Sequence, residues 1–221
     1  MNYYSEQDIR KIVTDVLVEA GVGRTPAGPQ ERAVPVEISA RHVHLTQEAL
    51  ECLFGPGAQL TKKRELSQPG EFLSGERLKV VTRKGEIDNV AVLGPVRKQV
   101  QVELSLTDAR SLGLNVPINL SGDLAGAADV LLVGPAGSMV AKGAAIAAKA
   151  HVHMTPEDAL QYQVRDGQTV RVRLDTARPV TLDGVVVRGR KDFKLAVHVD
   201  YDEANAASAN GEITGYLLKD R

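Results

Sequence analysis

The sequence predicts a mainly β fold of two small β-barrel domains related by an internal repeat, each with short capping α-helices. Three observations support this prediction. Short β-branched runs separated by glycine and proline fill the chain after Val34. A His-x-His motif occurs twice in similar surroundings. Helical patterns are short everywhere except near the N-terminus.

The N-terminal segment, residues 1–21, predicts an amphipathic helix. Ser5 and Asp8 resemble a capping box, and apolar residues recur at helical spacing up to Ala20. Proline, glycine and polar residues then predict a flexible linker over residues 22–33. Such a helix either packs on its own domain or docks its apolar face on a partner protein, and the sequence alone leaves both interpretations open.

The remaining elements follow from local patterns. Thr46 and Thr155 are predicted to begin short helices, and two more are expected after Thr107 and Asp202. Runs rich in β-branched residues predict strands at residues 78–82, 90–93, 170–174 and 184–187. Cys52, beside Leu53 and Phe54, is expected to be a small buried residue.

The repeat extends beyond the histidines. Residues 41–48 align with 150–157, and residues 100–109 align with 195–204. The second alignment places Glu103 opposite His198. Chance similarity between β-rich segments is the alternative explanation.

The two His-x-His motifs predict metal binding. A spacing of two residues places both imidazoles on the same face of a strand, with the intervening valine on the other face. The simplest assembly holds two metals, and each metal is bound by one histidine pair and one later residue of the same repeat. The first set is His42, His44 and Glu103. The second set is His151, His153 and His198. Three protein ligands leave one coordination position open, as in catalytic zinc sites. A single structural metal held by four histidines is the alternative.

Arg97 is a candidate for binding an anion near these metals. On a strand running from Arg97 to Glu103, both side chains would share one face. The guanidinium offers the paired donors that a phosphate requires. Zinc suits the ligand sets, as do cobalt, iron and manganese.

Bulk composition excludes several classes of protein. A net charge of −1 over 221 residues provides no basic field for nucleic acid. A single cysteine rules out a disulfide scaffold and favours a reducing cytosol. We find no secretory signal at the N-terminus and no apolar run long enough to span a bilayer, so we expect no membrane partner.

Several motifs together resemble those of the PduL-type phosphotransacylases, the phosphate propanoyltransferases of bacterial microcompartments. They span the chain from Val34 onward: residues 40–45, 93–97, 102–110, 121–122, 151–154 and 198–207. The N-terminal helix and linker also resemble the encapsulation peptides of that family, which favours the docking interpretation.

The resemblance implies a reaction, acyl-CoA + phosphate ⇌ acyl phosphate + CoA, at two zinc-type ions. It implies that residues 34–40 join residues 149–221 in one barrel and that residues 41–148 form the other. Arg97 would bind phosphate and act as the catalytic arginine. The positions matching the coenzyme A site are Ser39, Leu93, Arg97 and Asn205.

The implied location is the lumen of a bacterial microcompartment, with residues 1–21 binding shell or core proteins and with a homo-oligomeric assembly expected. Two other functions fit the metal motifs. A dinuclear metallo-hydrolase of esters or phosphoesters would use water in place of phosphate. A non-catalytic, zinc-stabilised shell-associated protein would need closed, four-ligand sites.

Overall fold

The computed structural model describes residues 32–218. The predicted helix of residues 1–21 and most of the predicted linker lie outside these residues. Arg32 and Ala33, which we expected at the end of the linker, instead begin the first strand, because they pair with Leu217 and Tyr216.

Strands dominate the described part of the chain, and four short helices interrupt them. The strands are β1 (Arg32–Ser39), β2 (His42–His44), β3 (Lys62–Glu65), β4 (Phe72–Val81), β5 (Glu86–Gly94), β6 (Gln101–Leu104), β7 (Ile118–Asn119), β8 (Ala128–Val133), β9 (Ser138–Ala148), β10 (His151–Met154), β11 (Thr169–Asp175), β12 (Val180–Gly189), β13 (Ala196–Asp200) and β14 (Ile213–Leu218). The helices are α1 (Gln47–Phe54), α2 (Leu106–Ser111), α3 (Pro156–Tyr162) and α4 (Tyr201–Ala206). None of these helices is long and apolar enough to cross a membrane.

The strands close into two six-stranded barrels, which confirms the predicted fold class. The C-terminal barrel has the order β1-β13-β10-β12-β11-β14. The N-terminal barrel has the order β4-β5-β2-β6-β9-β8 and closes because β8 pairs with both β9 and β4. β3 and β7 extend it beside β4 and β9. The first strand therefore belongs to the C-terminal barrel although the N-terminal barrel follows it in sequence.

The internal repeat is visible in the strand pairing. β2 runs parallel to β5 and antiparallel to β6, while β10 runs parallel to β12 and antiparallel to β13. In this register His42 lies opposite Glu103, and His151 lies opposite His198. The two His-x-His strands thus occupy the same place in their barrels, as the sequence alignment predicted.

Each barrel has its own apolar core. Val43 is fully buried in the N-terminal core and Val152 in the C-terminal core. Because side chains alternate along a strand, the histidines that flank each valine project from the opposite face. Barrel packing therefore turns both histidine pairs away from the cores.

Helix caps explain where the short helices begin. The Thr46 hydroxyl accepts from the backbone N–H of Ala49 at 3.1 Å, and Thr155 forms a reciprocal capping box with Asp158. Both helices begin where the sequence predicted. The other two begin slightly earlier than expected, capped by Ser105 and Asp200.

The prediction that Cys52 is buried was wrong. Its side chain is exposed on α1, where Sγ lies 3.8 Å from the carbonyl oxygen of Ser138. A β8–β9 turn at residues 134–137 packs against the end of this helix, and Ala136 donates to the carbonyl of Leu53 at 3.0 Å. This contact packs the turn between β8 and β9 against the C-terminal end of α1.

We predict that Gly134→Ala destabilises the protein by about 1–3 kcal/mol, because an added methyl group would overpack this turn. A Cβ at Gly134 would lie 2.3 Å from the carbonyl oxygen of Leu53. Gly75→Ala is the matched control, since its nearest contact would be an ordinary 3.6 Å. Urea unfolding would measure both variants, and equal stabilities would contradict the packing argument.

Candidate active site

The two histidine pairs meet in one cavity of about 780 Å³ between the barrels. All six predicted metal ligands line this cavity: His42, His44, Glu103, His151, His153 and His198. β2 and β6 contribute those of the N-terminal barrel, and β10 and β13 contribute those of the C-terminal barrel. Both halves of the repeat therefore contribute to a single site.

The first centre consists of His42, His44 and Glu103. Their candidate ligand atoms lie within 4.8 Å of one another, and all three side chains are buried. His42 Nε2 lies 3.5 Å from Glu103 Oε2, and His44 Nε2 lies 4.0 Å from Glu103 Oε1. Two nitrogens and a carboxylate oxygen form a ligand set that suits zinc and similar divalent ions.

The residues predicted to form the second centre, His151, His153 and His198, also lie close together. The ring centroids lie 4.6 Å apart for His151 and His153, and 4.8 Å apart for His153 and His198. The rings of His151 and His198 are stacked at 5.2 Å. Both ring nitrogens of His153 are buried without a hydrogen-bond partner. Such orphaned polar atoms are costly, and a bound metal ion would satisfy one of them.

Backbone carbonyls orient one histidine of each pair in the same way. His42 Nδ1 lies 2.8 Å from the carbonyl oxygen of Ala40, and His151 Nδ1 lies 2.8 Å from that of Lys149. A proton on Nδ1 leaves the Nε2 lone pair directed at the cavity, as metal-binding histidines require.

In the first centre, the histidines and Glu103 shift each other's pKa values. Burial lowers the pKa of His42, but the adjacent Glu103 carboxylate more than offsets this and raises it above its ordinary value. Burial likewise raises the pKa of Glu103, but His42 and His44 reverse this and hold it far below its usual range. Glu103 is therefore a carboxylate at neutral pH.

The histidines of the second centre are neutral at pH 7. Burial lowers the pKa of His151 and His198 to about 4 and that of His153 to about 2. The Arg188 guanidinium lowers all three further. Neutral imidazole is the form that binds a metal, so the charge state fits the predicted role.

We predict that the metal-free protein loses stability as the pH falls from about 6.5 towards 4. His151, His153 and His198 have folded pKa values below 6.5, so the unfolded chain takes up their protons first and stability falls with pH. Glu203 and His42 act oppositely, because burial raises the pKa of Glu203 to about 7 and the Glu103 carboxylate raises that of His42. The urea concentration at the unfolding midpoint, measured with a chelator present between pH 6.5 and 4, would show the net effect of these groups. A midpoint that stays constant or rises towards pH 4 would contradict the prediction. His153→Gln should lose less stability over this pH range than wild type does.

Arg97 lines the same cavity but not on the strand that we predicted. β6 begins at Gln101, so Arg97 lies in the loop after β5, and its backbone N–H donates to the carbonyl of Leu45 at 2.8 Å. The prediction of one continuous strand from Arg97 to Glu103 was wrong, because the chain bends at Lys98 and Gln99 before it enters β6. The guanidinium is held by Glu71 at 3.0 Å and by the Ser121 hydroxyl at 3.2 Å.

The residues expected at the coenzyme A site divide into two groups. Ser39 and Leu93 line the cavity together with Arg97. Asn205 is exposed on α4 and is not among the cavity-lining residues of the described chain. Its role in binding coenzyme A stays a prediction.

The structure also adds residues that sequence reasoning missed. The buried amide of Gln101 donates to Glu103 at 2.5 Å and to Ser121 at 2.9 Å, which links the first centre to the residues holding Arg97. Its position two residues before Glu103 on the same strand was the available signal. The cavity wall also carries several arginines: Arg41, Arg64, Arg77, Arg97, Arg188 and Arg190.

Comparisons with known proteins identify the family. Residues 35–210 match the family model for phosphate propanoyltransferase. A phosphate propanoyltransferase of Alkaliphilus metalliredigens is 42% identical over 97% of this chain and 99% of its own length. One from Priestia megaterium is 45% identical over 96% of both chains, and one from Thermotoga maritima is 48% identical over 86% of this chain and 91% of its own. The chain belongs to the phosphate propanoyltransferase family of acyltransferases.

Proposed function

We propose that this protein interconverts acyl-CoA plus phosphate and acyl phosphate plus CoA, with a short acyl group such as propanoyl or acetyl, at two adjacent zinc-type ions. The observation that carries the proposal is the meeting of two ligand sets and Arg97 in one cavity. Family membership supports the reaction type.

Both ligand sets fit divalent metal ions. The first offers two buried imidazoles and an ionised carboxylate, and the second offers three neutral imidazoles, one of them with orphaned nitrogens. When bound, the ions would supply Lewis acidity for the thioester carbonyl and would favour the thiolate form of coenzyme A.

Arg97 is suited to holding the phosphate nucleophile. Glu71 and Ser121 each accept from one nitrogen of its guanidinium, which fixes the plane of the group. A guanidinium has five N–H donors, so further donors are left for phosphate oxygens. Fixing the nucleophile beside the thioester would lower the entropic cost of the reaction.

Coenzyme A carries several negatively charged phosphates, and the arginines on the cavity wall offer positive charges that would attract them. Arg188 packs near the Phe193 ring at 5.9 Å and Arg190 at 4.7 Å, so this side of the cavity combines positive charge with an aromatic face. An adenine base and its phosphates would find complementary groups there.

The transfer needs no acyl-enzyme intermediate. As the phosphate oxygen attacks the carbonyl carbon, a C–O bond forms and the C–S bond breaks, and the phosphate's proton ends on the coenzyme A thiol. Cys52, the single cysteine, does not line the cavity. The serines lack a paired base, since all five histidines are assigned to metal binding or its orientation.

One assay tests the proposed reaction. Purified protein would be mixed with propanoyl phosphate and coenzyme A, and the thioester absorbance would be followed with and without a chelator. We expect thioester formation that the chelator abolishes. No thioester under any metal loading would contradict the transferase. Acyl phosphate consumed equally fast without coenzyme A would instead indicate a hydrolase.

We further propose that the protein works in the lumen of a bacterial microcompartment, with residues 1–21 as the docking segment. The apolar periodicity of this segment and the Pro/Gly-rich stretch after it support the proposal. Deleting residues 1–21 should leave the activity of the purified protein intact and abolish its co-purification with shells. Unchanged co-purification would contradict the docking role.

A further inference from the structure

We infer that Glu37 is an additional ligand of the second metal centre, so that each of the two ions is bound by one carboxylate. This inference rests on the dinuclear site proposed above. It starts from a carboxylate that the sequence motifs do not include. Glu37 lines the cavity, and its Oε2 lies 3.8 Å from His198 Nε2.

Strand register places Glu37 on the ligand face of the C-terminal barrel. β1 runs parallel to β13 with Glu37 directly opposite His198, and His198 lies opposite His151 on β10. The neighbours of Glu37 along β1, Val36 and Ile38, pack into the barrel core. Glu37, His198 and His151 therefore form one row across three strands on the face that lines the cavity.

The same row in the N-terminal barrel has its carboxylate one strand over. There His42 lies opposite Glu103, and Glu103 lies opposite Ile146 on β9. The rows align as Ile146-Glu103-His42 and Glu37-His198-His151. The middle position holds the carboxylate of Glu103 in the first row and the imidazole of His198 in the second. The outer position holds Ile146 in the first row and the carboxylate of Glu37 in the second. The carboxylates of the two barrels therefore lie on strands that differ by one place in the repeat.

The distance between Glu37 and His198 agrees with coordination of one ion by both side chains. Two ligand atoms that each lie about 2.1 Å from a tetrahedral ion are roughly 3.4 Å apart. His42 Nε2 and Glu103 Oε2 in the first centre are 3.5 Å apart, close to the 3.8 Å between His198 Nε2 and Glu37 Oε2. Both separations are longer than an ordinary hydrogen bond and are close to the distance between two ligands around one ion.

A neighbouring loop holds the Glu37 carboxylate towards the cavity. The Ser67 hydroxyl donates to Glu37 Oε2. The next residue, Gln68, is buried and binds both backbone groups of Lys194, at 2.9 and 3.1 Å. The loop between β3 and β4 is therefore anchored on the other barrel. Such support is typical of a carboxylate whose position matters to a metal.

Metal binding to the stripped protein tests this inference. Wild type should bind two equivalents of Co²⁺, with absorbance bands that report the ligand set. Glu37→Gln should keep the first equivalent, weaken the second by about tenfold or more, and change the spectrum of the second. The Glu37 side chain is 36% exposed, so we expect this variant to fold, and circular dichroism would check it.

Two controls separate the explanations. Glu86→Gln removes a carboxylate that pairs with Lys79 away from the cavity, and it should bind both ions as wild type does. Ser67→Ala keeps the Glu37 carboxylate and should leave the spectrum of the second equivalent close to that of wild type. The same spectral change in Ser67→Ala as in Glu37→Gln would assign the effect to loop packing and overturn the inference.

Two further outcomes are distinguishable. If Glu37→Gln binds both equivalents with wild-type affinity and spectrum, Glu37 is not a ligand and the inference fails, while the dinuclear site stands. If wild type itself binds fewer than two equivalents, the proposed dinuclear site fails and the inference fails with it.

Discussion

Glu103→Gln is expected to remove one metal equivalent and to lower acyltransferase activity by at least about 100-fold, the upper end of what lost supporting contacts cost a metal site. The carboxylate is buried and lies within 4.0 Å of both His42 and His44. An uncharged amide is a poor ligand for a divalent ion. It also withdraws the negative charge that raises the pKa of His42.

Metal analysis and initial rates on the same preparation would measure this effect. Gln101→Glu is not a useful comparison, because it adds charge beside the centre. Glu86→Gln is the matched control, since it removes an exposed carboxylate from a strand of the same barrel. Glu103→Gln with two bound equivalents and full activity would show that the first centre is assigned wrongly.

Arg97→Lys is expected to lower kcat/KM for phosphate by about 100-fold or more, similar to the loss of one preorganised donor to a transition state. Lysine keeps the charge but loses the planar pair of donors that matches phosphate. It also cannot make both contacts that hold Arg97 in place, those to Glu71 and Ser121.

Steady-state kinetics with phosphate and acyl-CoA varied separately would identify the step. The KM for phosphate should rise far more than that for acyl-CoA, and two metal equivalents should remain bound. Arg110→Lys is the control, since Arg110 is an exposed residue of α2 outside the cavity. Equal effects on both substrates would argue that Arg97 supports the cavity without contacting phosphate.

Patterns that repeat with the period of a strand could be predicted from the sequence. The spacing of His42 and His44, with Val43 between them, predicted two imidazoles on one face and a buried valine on the other, and the structure has this arrangement. The alignment of Glu103 with His198 was also confirmed, because each lies opposite the first histidine of its pair.

Features that depend on long-range strand pairing could not be predicted in the same way. Glu37 and His198 are neighbours because β1 pairs with β13 across most of the chain, and nothing in the local sequence around Glu37 indicates this. Gln68 contacts Lys194 and His198 for a similar reason, since its loop crosses from one barrel to the other. Loop geometry also explains why Arg97 lies outside β6.

Glu37 as a ligand would change the charge of the second centre. The motifs alone give a carboxylate to one ion and only imidazoles to the other, which implies centres of different charge. With Glu37 included, both centres have one carboxylate, and they differ in the number of imidazoles and in exposure. Glu103 is 7% exposed and Glu37 is 36% exposed, so the second centre is the more open to substrate.

Activity followed during metal titration tests the central claim most directly. Chelator-stripped protein would receive Zn²⁺ in steps, and thioester formation from propanoyl phosphate and coenzyme A would be measured at each step beside the bound metal. We predict almost no activity without metal and a rise that is complete only at two equivalents per chain. Full activity in the metal-free protein, or a plateau at one equivalent, would contradict a reaction carried out at two adjacent ions.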